Sequence, residues 1–143
     1  MNEITIHGNV VSKPEQRPVR GDMVLVTFRV AIPRRRYDQH QHTWVNMPSV
    51  FQEVVAFNGL ARNAMDTLTK GMTVTITGQL ADNSYTPNGA NYRIQRTEFI
   101  AADIAVSLRW ATAVVTKNSR QQVATGTTEP TEPGEQADQP QVA

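Results

Sequence analysis

With 143 residues, no cysteine and 19% charged residues, the chain has length for one cored domain and a tail, and it can hold neither a disulfide frame nor a cysteine-ligated zinc. Its formal net charge of +1 averages two unlike pieces: residues 1–120 carry all 14 Lys and Arg against 9 Asp and Glu, and residues 121–143 carry 4 acids and no base. The N-terminus "MNEITIHGNVV" lacks a basic and apolar leader pattern, and no apolar run approaches the ~20 residues that cross a bilayer, so a soluble cytoplasmic protein is the expectation.

The basic piece reads mostly as strands. "EITIHGNVV" alternates Ile4 and Ile6 with Thr5 and His7, and "MVLVTFRVAI" is a β-branched and aromatic run that ends at Pro33. "IPRRRYDQHQHTW", residues 32–44, then reads as a loop with three consecutive arginines. "WVNMPSVFQEVVAF" fits a third strand, with Pro48 marking an edge or a bulge. In "NGLARNAMDTLTKG" the period changes: Leu60, Ala64, Met65 and Leu68 recur at three or four, with Asn58 as the expected N-cap and Gly71 as the stop. "MTVTITGQL" alternates as a fourth strand, "ADNSYTPNGAN" is a turn-rich loop, and "YRIQRTEFIAADIAV" is a fifth strand. "SLRWATAVVT" is apolar enough for one more. The remainder, "QQVATGTTEPTEPGEQADQPQVA", has no aromatic residue, and from about residue 119 it predicts a disordered acidic tail.

Five strands with one helix between the third and fourth is the order of an all-β OB-fold, a Greek-key barrel whose face and long loops bind oligonucleotides or oligosaccharides. Residues 1–118 are assigned to it, an extra C-terminal strand included, and residues 119–143 to the tail. The motifs "GNVVSKPE", "VTFRVAI", "VVAFNGLA", "LTKGMTVTITGQL" and "SLRWATAVVTK" occur in the order and near the spacing of bacterial single-stranded DNA-binding proteins (SSB). The chain resembles that family, and the "YD" and "TW" flanks of the arginine loop and the last motif resemble its actinobacterial branch. The resemblance implies sequence-independent binding and protection of single-stranded DNA in replication, recombination or repair. It also implies a homotetramer built as paired dimers, with nucleoid association in the cytoplasm.

Holding single strands without reading sequence needs cations for phosphates and exposed rings for bases, interleaved on one surface. The resemblance places Tyr37, Phe51, Phe57 and Tyr85 at stacking positions. Phe51 and Phe57 are six apart and share a face of an unbroken strand. A Phe in a strand is ordinarily core, so both carry a packing alternative. Trp44 either stacks a base or pins the loop to the barrel, and Trp110 is read as packing between subunits. Three adjacent cations repel unless an anion neutralises them, so Arg34, Arg35 and Arg36 are read as phosphate contacts beside Tyr37, against the bland alternative of a solvated basic loop. Arg93 and Arg96 differ by three, so on a regular strand one of the two faces the groove. The loop "ADNSYTPNGAN" has no Lys or Arg where the family is usually basic, a departure that bears on affinity.

Chemistry other than binding finds little in the sequence. His40 and His42 have only His7 as a further imidazole, a poor ligand set for a metal, and no cofactor is implied. No nucleophile elbow, phosphate loop or HExxH occurs, so the chain is not read as an enzyme. The rival reading is an OB-fold interaction module of a primosome-type assembly that binds nucleic acid weakly. The end "EQADQPQVA" departs from the family's clustered acids and Pro-Phe tip. Weak or absent tail-mediated recruitment of replication and repair proteins is therefore expected.

Overall fold

The computed structural model describes residues 2–119. In order these form β1 (Ile4–Val10), β2 (Glu15–Arg17), β3 (Leu25–Asp38), β4 (Thr43–Phe57), α1 (Asn58–Thr67), β5 (Thr73–Asp82) and β6 (Thr97–Val106). The strands lie in the order β1-β5-β6-β4-β3-β2, and β1 returns to β3 through Asn9↔Ala31 and Val10↔Val30, so β1, β5, β6, β4 and β3 close a five-stranded barrel. β4 and β6 run parallel, and the other pairs are antiparallel. This is the OB-fold architecture, with the helix between the third and fourth barrel strands as the sequence predicts.

Alternation builds the core. Val26, Phe28 and Val30 of β3 are buried, as are Val54 and Ala56 of β4, Val74 and Ile76 of β5, and Phe99 and Ala101 of β6. Full burial of the Val, Ile and Phe side chains among them is worth roughly 1.5–3 kcal/mol each. From α1, Ala64 packs on this core together with Leu68 just beyond the helix end. Two glycines permit the closure. A Cβ at Gly8 would run into the Ala31 carbonyl, and one at Gly78 into the carbonyl of Ile100, at the register shift where β5 bends across β6.

Three local expectations change. Asn58 does not cap α1: Phe57 holds the cap position in extended geometry with no side-chain bond. Asn58 has φ 54, and its Oδ1 accepts the Val24 N–H at 3.2 Å, so its amide ties the helix start to the approach of β3. The arginine stretch is not a loop either. After a bulge between Ile32 and Arg34, β3 and β4 continue as a two-stranded ribbon from Arg34↔Met47 to Asp38↔Thr43, leaving only residues 39–42 as the turn. Pro33 lies in that bulge, and Pro48 also falls outside the paired register.

The third change concerns strand number. A strand beyond the barrel five is present, but it is β2, which borders β3 through Glu15↔Thr27 to Arg17↔Leu25. "SLRWATAVVT" forms none: the Ser107 N–H donates to the Thr73 carbonyl at 2.8 Å, and residues 108–119 carry no strand. Ordering a strand costs chain entropy that only a ladder of partner bonds offsets, and none continues past Ser107 among the described residues. The compact barrel unit ends at Thr112, and a second unit begins at Ala113, whose described residues 113–119 have no regular structure. The tail read as disordered lies outside the described residues from 120 onward.

Candidate nucleic-acid interface

Strand parity sorts the ribbon into two faces. Arg35 and Tyr37 share one face with Asn46 and Trp44, while Arg34 and Arg36 share the other with Met47 and Val45. The three arginines are thus divided two and one across a thin ribbon. Among the described residues no carboxylate lies within ion-pair distance of any of them. Tyr37 and Trp44 pair edge to face, with centroids 5.5 Å apart and planes at 67°. Trp44 is 59% exposed, so it braces Tyr37 and leaves ring surface to solvent. The Asp38 carboxylate shapes the turn by accepting the N–H of His40 at 2.9 Å and of Gln41 at 3.3 Å, and His42 takes a left-handed φ of 52.

The ribbon joins a face of the barrel. Between Leu25↔Phe57 and Ile32↔Val50 the ladder has no shift, so Phe51, Glu53, Val55 and Phe57 point one way. Phe51 is 55% exposed, whereas Phe57 is half-buried and Val55 buried. Arg29, cross-strand from Glu53, carries its guanidinium 5.4 Å from the Phe51 centroid, a cation–π contact on the same face. A shallow groove alongside is lined by Lys13, Arg17, Arg29, Arg96, Glu15 and Glu53. Arg29 stands out in sequence as the one charged residue among the buried Val26, Phe28 and Val30, and it is not among the residues expected at the site. Lys13 and Arg17 have no local signal of this kind.

Arg96 and Arg93 are held by the protein itself. One nitrogen of Arg96 donates to both Glu53 carboxylate oxygens, at 2.6 and 2.8 Å, and its Nε lies 3.9 Å from Glu98. The Glu53 hydrogen bond, with that carboxylate's charge, raises the Arg96 pKa further. Arg93 pairs with Asp82 at 3.1 Å, so the two arginines of the fifth-strand approach meet different acids.

Residues 83–96 between β5 and β6 continue as a loose hairpin. The Asn83 N–H donates to the Arg96 carbonyl at 2.8 Å, and Tyr85 and Ile94 exchange both backbone bonds at 3.0 and 2.8 Å. At the tip the Ala90 N–H donates to Pro87, with Gly89 at φ 79 supplying the turn geometry. Tyr85 is exposed, and so is Tyr92, an aromatic that the sequence reading passed over in the same polar stretch. Trp110, on the terminal segment, is 80% exposed with the Arg109 guanidinium 5.1 Å from its ring.

Asp82 anchors this hairpin. It accepts the Ser84 hydroxyl and, at 2.9 Å, the Ser84 N–H, and these bonds, with Arg93 beside them, hold its pKa below the usual 3.8. A depressed acid contributes stability that is present above its unfolded pKa and lost as pH falls through the folded one. A carbon-detected titration should therefore place Asp82 below 3.8. Amide exchange at Ser84 and Tyr85, corrected for its intrinsic pH dependence, should accelerate as pH falls from the usual 3.8 through the Asp82 midpoint and level off below it. An Asp82 midpoint at or above the usual value would contradict this anchor.

Among the described residues no group of three or more His, Cys, Asp or Glu is placed to hold a metal, and no helix is long and apolar enough to cross a membrane. The model of the single-strand binding protein family matches residues 1–107. The chain is 34% identical over 120 residues to single-stranded DNA-binding protein 2 of Streptomyces coelicolor, covering 82% of this chain but 59% of that relative. It is 35% identical over 118 residues to the single-stranded DNA-binding protein of Mycobacterium leprae, covering 82% and 69%. Among solved structures, a small single-stranded DNA-binding protein from Streptomyces coelicolor superposes with TM-score 0.62 at 28% identity, over 76% of this chain and 97% of that one. A Plasmodium falciparum SSB in complex with ssDNA gives TM-score 0.65 over 75% and 95%, and at 20% identity it speaks for the fold alone.

Proposed function

This chain belongs to the single-strand binding protein family, and on that premise we propose that it coats and protects single-stranded DNA without reading sequence, in replication, recombination or repair. One observation carries the reading furthest. Exposed Phe51 lies under Arg29 on the barrel face, and the same strands lead out into a ribbon bearing Tyr37, Trp44 and three cations that have no carboxylate partner among the described residues. Rings and cations interleaved on one continuous pair of strands are what stacking bases and neutralising phosphates require. In this reading Arg34, Arg35 and Arg36 meet phosphates, and Tyr37, Trp44, Phe51, Phe57 and Tyr85 meet bases. Arg93 and Arg96 are secondary, because each already has a carboxylate partner.

The reading extends to a homotetramer, supported by family membership and by exposed Leu108 and Trp110 on the segment after β6. Weak recruitment through the acidic end remains part of the proposal and rests on sequence.

Titration of intrinsic fluorescence with oligo-dT at two salt concentrations tests the function. Quenching is expected, with affinity falling as salt rises. Phe57→Ala and Tyr85→Ala should each weaken binding by roughly 1–3 kcal/mol without changing the salt slope, because stacking releases no counterions. A lower melting temperature with intact affinity for Phe57→Ala would make that ring core. Weak binding that ignores salt would favour the interaction-module reading instead.

A further inference from the structure

We propose that Glu53 is a built-in competitor for phosphate: it occupies Arg96 in the free protein, and a bound strand must displace it. The inference rests on the single-strand binding reading and adds a residue that tunes affinity and salt response. Glu53 lies on the same face of β4 as Phe51 and Phe57 and between them in sequence, so a strand stacked on both rings passes over it. Its neighbours across the sheet are Arg29 on β3 and Glu98 on β6. One Arg96 nitrogen is shared between both of its carboxylate oxygens, at 2.6 and 2.8 Å, and the Arg96 Nε leans toward Glu98 at 3.9 Å. Around Glu53 two cations, Arg29 and Arg96, therefore meet two carboxylates, Glu53 and Glu98, and charge at this spot is balanced before any strand arrives. Exchange is feasible because the pair is only part-buried, and ion pairs of this exposure are weak enough for a phosphate to replace. Arg96 then brings no net gain in charge neutralisation, since a carboxylate is uncovered for each phosphate covered.

Glu53→Gln keeps the shape and removes the competing charge. Oligo-dT binding should tighten on the order of fivefold at low salt, the scale of one exposed ion pair. The slope of log K against log salt should steepen by about 0.7, one added phosphate. Adding Arg96→Gln to that variant should return the slope to the wild-type value. A measurement on the unaltered protein guards against misfolding of the variants: the Arg96 Nε–H resonance should move when oligo-dT saturates it. An unchanged slope in a folded Glu53→Gln protein, or an unmoved Arg96 resonance, overturns the competition. Failure of the wild-type chain to bind oligo-dT at all would instead sink the functional reading, and this inference with it.

Discussion

Replacing Arg34, Arg35 and Arg36 together by alanine is expected to flatten the salt dependence of oligo-dT binding by about 2 in the slope of log K against log salt, at ~0.7 per phosphate contact. The ribbon stands outside the packed core, and among the described residues its arginines have no carboxylate partner to lose. Folding stability should therefore change by less than about 0.5 kcal/mol, the usual range for surface substitutions. Single variants add direction. Arg34 and Arg36 project from one face, and Arg35 projects from the face of Tyr37 and Trp44. If phosphates follow one face only, one set changes the slope and the other leaves it alone. A slope unaltered by all three replacements would mean that the ribbon is merely solvated.

The second large effect is on folding. Gly78→Val should abolish the cooperative thermal transition, or lower stability by more than about 4 kcal/mol, where a domain of this kind has roughly 5–15 to lose. The Ile100 carbonyl occupies the place of the missing Cβ, and that atom belongs to backbone on the neighbouring strand, which cannot swing aside as a side chain can. Gly59→Ala is the control. Nothing lies within 4 Å of its would-be Cβ, and in the first turn of α1 the substitution should stabilise by ~0.4–1 kcal/mol through the unfolded chain. Circular dichroism melts of the two variants compare them directly. A Gly78→Val protein that melts like the wild type would show that β5 and β6 do not approach this closely.

The barrel was legible because each of its five strands has a dry side. Val74 and Ile76 against Thr73, Thr75 and Thr77 give a period of two, "MVLVTFRVAI" is a β-branched and aromatic run, and Leu60, Ala64 and Leu68 give a period near four. The ribbon was illegible as strand because both of its faces meet solvent. No apolar alternation marks "PRRRYDQHQHTW", and its pairing comes from the strands behind it and the Asp38 turn. For the candidate site, the residues proposed to stack were named from family position and parity, but the state of Arg96 could not be read that way. Its partner Glu53 is 43 residues away, and the two meet only because β6 docks parallel to β4. Asn58 failed as a cap for a related reason: its amide is used by Val24, 34 residues earlier.

The strand order has a consequence for synthesis. β6 is the last barrel strand made, yet it lies between β4 and β5. Until Thr97–Val106 leaves the ribosome, the two older strands have no neighbour on that side, and Phe99 and Ala101 are absent from the interior they later fill. An emerging chain can therefore pair β5, β1, β3 and β4 in sequence but cannot close them. It holds two open edges, which other nascent chains could pair with, and then closes in one late step. Arg96, at the threshold of that last strand, reaches Glu53 only on closure, so the charge balance around Glu53 and the completion of the barrel arrive together.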